Sequence, residues 1–219
     1  MPVTPFHFGP GALIKAVAPK HVSWTTFALA NCLIDLEPIL YFLLTGDPAH
    51  RFFHTLPGAT MAAVVAVWPG RQGCEMWLRF WNRRLDARQK SWLGTETSIP
   101  MLPGVVGAFA GAWNHILLDS AMHVDVRPLG PLLEDNPWHG WIGIDGLHWL
   151  CVGSGAVALL VCQSNRLLGH LNAIGVISSA WRMDFPWEAF QGYFEHHMVT
   201  VSERVASPSK KGQVPLAYR

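Results

Sequence analysis

Imidazole and carboxylate side chains recur one helical turn apart in the stretch Trp113-Asn-His115-Ile-Leu-Leu-Asp119-Ser-Ala-Met-His123-Val-Asp125. Residues i, i+4 and i+8 project from one face of a helix, so His115, Asp119 and His123 line up. Nitrogen and oxygen donors on successive turns suit a divalent cation, with zinc the expected ion. A polar helix end would account for His123 and Asp125, and Asp119 would then pair with Arg127. That reading serves His115 and Asp119 poorly. They close the 20-residue run Ile99–Leu118, which holds no Asp, Glu, Lys or Arg. An ionisable group in such a setting is a candidate for function.

Two more groups carry the same chemistry. Asp47-Pro-Ala-His50-Arg51-Phe-Phe-His54-Thr55 places His50 and His54 at the start of the apolar run Phe52–Gly70. If that run packs antiparallel to Ile99–Leu118, His54 meets His115, because the segment joining the two runs lies at the far end. His50 reads equally as a ligand or as a residue beside a helix N-cap. In Ala30-Asn31-Cys-Leu-Ile-Asp35-Leu-Glu37-Pro38, two carboxylates interrupt an apolar helix, which is costly unless they are paired or bound to metal. Pro38 disfavours helical geometry at Glu37 and predicts a kink or an end there. Asp35 or Glu37 would orient or deprotonate a water. His7, in Thr4-Pro-Phe-His7-Phe-Gly-Pro, reaches the same side only if a short helix at about Gly11–Pro19 returns it there.

These residues must be held by an apolar frame. Half of the 219 residues are hydrophobic and 14% are charged, against about 25% in soluble domains. Mean hydropathy is +0.22. Whole-chain disorder, a coiled coil and a charged nucleic-acid arm are excluded, and a net charge of +1 gives no field for DNA or RNA. The unusual abundance is 11 His against 15 acidic residues. Cys32, Cys74, Cys151 and Cys162 show no paired spacing and read as free thiols. Met1–Lys20 lacks the pattern of a signal peptide, so His7 is expected to remain in the mature chain.

Phe52–Gly70, Ile99–Leu118 and Gly146–Asn165 are free of charged residues and near the roughly 20 residues that cross a bilayer. His21–Gly46 is a fourth run of that length, broken by Asp35 and Glu37. Strict alternation is absent, so the expected fold is all-α, a multi-helix bundle embedded in a membrane by about four helices. Leu167–Trp181 would lie on the surface or pack against the bundle. Residues 1–185 form the helical domain, and 186–219 a polar tail. Read as loops, Arg71–Lys90 holds six basic residues, whereas Asp119–Asp145 holds five acids and only Arg127. The first is therefore expected in the cytoplasm and the second opposite, in a multi-pass protein of a bacterial-type inner membrane. A soluble helical bundle with a solvated basic face is the alternative.

The order His7, Asp35, His50/His54, His115-x3-Asp119 resembles the YdjM-like family of predicted inner-membrane, metal-dependent hydrolases. The likeness extends over about residues 1–165, including the start Met1-Pro-Val-Thr-Pro-Phe-His-Phe-Gly-Pro. More distantly, Asp…His…His-x3-Asp on a helical frame is similar to zinc-dependent phospholipase C and the fungal single-strand nucleases. The resemblance implies a phosphoesterase acting on a membrane lipid or a small phosphoester, with His7, Asp35, His54, His115 and Asp119 as metal ligands. His50 and His123 are further ligand candidates from spacing, and Arg51 would neutralise phosphate. The chain departs from these patterns in two places. Its paired His are four apart rather than five, and the later His-x3-Glu of the phospholipases is missing. One or two metals are therefore expected rather than three. The rival class is a non-enzymatic membrane protein with a structural or transport-related metal site.

Overall fold

In a computed structural model, which describes residues 4–46 and 50–173, a 3-10 turn at Thr4–His7 leads into seven α-helices, with no strand among the described residues. They are α1 (Phe8–Val17), α2 (Trp24–Thr45), α3 (Leu56–Val67), α4 (Pro69–Arg84), α5 (Ala87–Leu93), α6 (Met101–Met122) and α7 (Ile144–Ala173). Local chemistry marks their ends. Ser23 caps α2 by accepting from the Thr26 amide, and Gly46 closes it with φ 83°, a left-handed conformation that costs glycine little. Thr55 caps α3 through the Gly58 amide. Asp86 and Gln89 form a reciprocal capping box at the start of α5.

Among the described residues, three helices are long and apolar enough to cross a membrane: Trp24–Thr45, Met101–Met122 and Ile144–Asn165. The run Phe52–Gly70 is not a fourth. Its helix has 12 residues, or about 18 Å at 1.5 Å per residue, well short of the roughly 30 Å hydrocarbon core. Phe52–Thr55 remains outside the helix, and Pro69 begins a new helix beyond Trp68. The basic stretch 71–90 is likewise no loop, since most of it is α4 and the start of α5. The break expected at Pro38 does not occur. α2 continues through the buried Pro38 to Thr45, although Pro38 lacks the N–H that would bond to the carbonyl of Ile34. The first part of Leu167–Trp181 continues α7 as far as Ala173. The rest of it, the boundary at 185 and the tail 186–219 lie outside the described residues.

Small residues set the packing. α2 and α6 run parallel, with Ser23 beside Gly107 and Phe27 beside Gly111. A Cβ on Gly107 would sit 2.2 Å from the Ser23 carbonyl oxygen, and one on Gly111 2.5 Å from that of Phe27. Glycine at these two positions lets the backbones touch, as between membrane helices. α3 runs antiparallel to α6 as expected. Trp113 donates to Thr60 near mid-length, and Arg71 just past α3 donates to the Ile99 carbonyl. Ala30, Ala59, Ala62, Ala63, Ala66, Ala108 and Ala112 fill the space between the three helices, with Ile34 and Ile116. α1 packs on α7 with Gly9 against the Cys151 backbone.

The outward faces are apolar. Only 28% of the apolar window of α2 and 17% of that of α7 is buried inside the protein, against 56% for α6. Leu40, Phe42, Leu43 and Leu44 on α2 and Leu159 and Leu160 on α7 are exposed. Such contiguous apolar surface on a monomer marks a lipid or protein contact.

Candidate metal centre

Asp119 lies in the last turns of α6, 4% exposed, and its carboxylate faces three imidazoles. Its Oδ2 is 3.1 Å from His115 Nε2 and 3.4 Å from His54 Nε2, and its Oδ1 is 3.0 Å from His7 Nε2. His115, one turn earlier on α6, also approaches Asp35 Oδ1 on α2 at 3.3 Å. Asp35, His54, His115 and Asp119 can each offer one donor atom such that all four lie within 4.8 Å of one another. The pairing of Asp119 with Arg127 is replaced by this histidine cluster. The meeting of His54 with His115 follows from the antiparallel course of α3 and α6.

The rings are held by their far nitrogens. Asn31 Nδ2 donates to the Phe27 carbonyl at 2.9 Å, which leaves Asn31 Oδ1 to accept from His115 Nδ1 at 3.1 Å. An Nδ1–H donor fixes the tautomer, so His115 Nε2 carries a lone pair aimed at the carboxylates. His54 repeats the pattern with Nδ1 3.5 Å from Glu37 Oε2. Both Nε2 atoms are buried and approach the carboxylates without hydrogen-bond geometry. Two lone-pair nitrogens pressed against two acceptor-only carboxylates repel each other unless a cation or a proton stands between them. Two imidazoles and two carboxylates, with no thiolate, are a donor set that fits zinc or a similar divalent ion.

Glu37 differs from its expected water-activating role. Its Oε2 also accepts the backbone amides of Arg51 and Phe53, each at 3.0 Å. Glu37 therefore ties the segment before α3 to α2 and orients His54 from behind. His7, also expected as a ligand, is 2% exposed and sits outside the four-donor group. It holds Asp119 Oδ1 and stacks on the His115 ring at 4.4 Å. α1 is the short helix that brings it there. The Arg51 guanidinium lies over the Tyr41 ring, 4.4 Å from its centre.

His50 and His123 do not join the buried group. α6 ends at His123, whose extended backbone (φ −107°, ψ 121°) turns the chain away from the face that carries His115 and Asp119. With Asp125 they form a second set of donors within 4.8 Å. His50 Nδ1 is 2.8 Å from Asp125 Oδ2, and the His50 ring contacts those of His123 and His54 at 4.6 and 4.5 Å.

Among groups outside the long apolar helices, three shifts follow from these contacts. Burial opposes a charged His54, but Asp119 and Glu37 outweigh it and raise its pKa above the ordinary imidazole value. Burial lowers that of His123. Partial burial pushes Asp125 up, yet the His50 hydrogen bond prevails and holds its carboxyl below the usual value.

Sequence reasoning missed Asn31 and Asp125 as parts of the centre. Asn31 stands one helical turn before Asp35, and Asp125 two residues after His123, so spacing alone would have flagged both. Comparison of the chain with protein-family models, curated proteins and solved structures gives no match.

Proposed function

We propose that this protein is a membrane-embedded, metal-dependent hydrolase of a phosphoester, built on the pattern of the YdjM-like family. The observation that carries the reading is the pair of buried Nε2 atoms on His54 and His115. His115 Nε2 faces Asp35 and Asp119 and His54 Nε2 faces Asp119, and the two rings are held from behind by Asn31 and Glu37. Zinc bound there would supply Lewis acidity toward a phosphoryl oxygen and would acidify a water. Asp35, whose side chain is 21% exposed, is the carboxylate of the group best placed to accept a proton from water. His7 holds Asp119 in place, and Glu37 holds His54.

The membrane reading rests on the three long apolar helices and on α4. In α4 no residue is buried, and Trp77, Phe80 and Trp81 share the helix with Arg79, Arg83 and Arg84. An amphipathic helix of this composition suits the bilayer interface. The charge bias supports a cytoplasmic side for α4 and α5, with the metal centre toward the opposite face.

A second reading is favoured by one observation. Four donors around one ion complete a tetrahedral shell, the pattern of a closed structural or transport site. Metal analysis of detergent-purified protein, beside hydrolysis of a chromogenic phosphodiester, separates the two. Bound zinc with zinc-dependent turnover that Asp119→Asn abolishes supports the hydrolase. Bound zinc without turnover on any phosphoester tried supports the closed site, and absence of metal at saturating zinc overturns both.

A further inference from the structure

We propose that His50, His123 and Asp125 form a second divalent-cation site, distinct from the buried one and open to solvent. It deepens the hydrolase reading, and it rests on the buried group binding its own ion.

The two sets of donors differ in number and in exposure. The buried set offers four donors, and His54 and His115 are inaccessible. The outer set offers three, and one of them, the Asp125 side chain, is half exposed. Three protein donors with an exposed edge leave coordination positions for water or substrate, the pattern of catalytic rather than structural sites. The outer site would receive the anionic oxygens of a phosphoester.

Charge points the same way. Glu37, Asp119 and Asp125 all take imidazoles, not Lys or Arg, as ion-pair partners. His54, His50 and His123 form an unbroken chain of ring contacts from the buried group to the surface. A cation held by the outer set would sit against Asp125, whose ion-pair partner is His50.

A purely structural account assigns the His50–Asp125 hydrogen bond to fastening the 50–55 segment onto the turn after α6. The backbone already does this, since the Leu56 amide donates to the Pro128 carbonyl at 2.8 Å. That account also gives the His123 ring, set against His50, nothing to do.

The test is metal stoichiometry on the full chain in detergent. Protein stripped with chelator is titrated with zinc chloride, and bound zinc is measured after desalting and by calorimetry. Two ions per chain are expected, one tight and one weaker. Asp125→Asn and His123→Gln should each reduce the count to one and spare the tight site, with helicity by circular dichroism unchanged. Asp119→Asn should remove the tight site. One ion in the wild type, unchanged by Asp125→Asn and His123→Gln, overturns the second site and leaves the buried one standing. No bound zinc overturns both.

Discussion

Asp119 is the side chain on which the buried group converges, and its replacement by Asn keeps size and one oxygen while removing the charge. The variant should lose zinc affinity by more than the ~10–100-fold that loss of an outer partner of a ligand costs. Its helical content should stay near wild type, because the amide keeps an acceptor oxygen for the surrounding imidazoles and removes a charge whose desolvation carries a cost of its own. Zinc retained at the wild-type level would reject the assignment. Asn31→Ala should fall in the ~10–100-fold range, since it frees the His115 ring without removing a donor. His54 adds a pH dependence. In the metal-free protein its protonated ring, paired with Asp119 and Glu37, contributes stability that is complete below its ordinary value of 6.5 and is lost as pH rises through the raised value. Metal takes the deprotonated ring, so the rise in Tm produced by zinc should grow over that same interval. A zinc increment that stays flat across it would contradict the role. At this scale the sequence was informative where the backbone is regular. His115 and Asp119 were legible because i, i+4 survives inside α6. His50 and His123 were legible as metal-type residues but not as a separate group, because the end of α6 and the turn of the 50–55 segment decide where they point. Glu37 was legible as an expensive carboxylate, whereas its service to two backbone amides depends on a segment 14 residues away.

Helix contacts give a sharper contrast than helix propensities do. Gly107→Ala would drive a methyl group to 2.2 Å from the Ser23 carbonyl oxygen and 2.6 Å from Thr26 Oγ1. Separating α2 from α6 to make room should cost about 1–3 kcal/mol. It should also weaken zinc binding, because Asn31 and Asp35 ride on α2. Gly73→Ala meets nothing within 4 Å inside α4, so it should gain roughly 0.5–1 kcal/mol from helix propensity. Thermal unfolding of the two variants in detergent checks the order, and a Gly107→Ala protein as stable as Gly73→Ala would refute the close packing. The helices themselves were largely readable from charge-free runs. Their limits were less so, because hydropathy does not register Pro57 and Pro69, which confine α3. Pro38 misled in the other direction. The helix continues past a residue that in isolation favours an end.

For the whole molecule, three apolar helices with outward-facing side chains and a basic, aromatic α4 are compatible with a bilayer, and the proposed membrane reading can be tested directly. The protein should remain in the pellet after alkaline carbonate and high salt and should leave it only with detergent. Release by carbonate alone would refute membrane integration and would leave the metal centre untouched. Orientation gives an independent measurement. A chelator that cannot cross membranes should strip zinc from intact spheroplasts and not from inverted vesicles, since the centre lies at the end of α6 away from α4. The opposite result would reverse the topology.

The ligands and their supports come from five places in the chain, and His7 and Asp119 are 112 positions apart. On the membrane reading proposed above, each of the three long apolar helices would enter the bilayer on its own hydropathy, but none would form the centre alone. Biogenesis would then divide into two events, insertion, which is indifferent to metal, and lateral assembly, which metal completes. In a cell short of zinc the chain would be fully inserted yet loosely assembled. Membrane quality-control proteases could recognise that state, so cellular abundance of the protein would follow zinc supply even with synthesis unchanged.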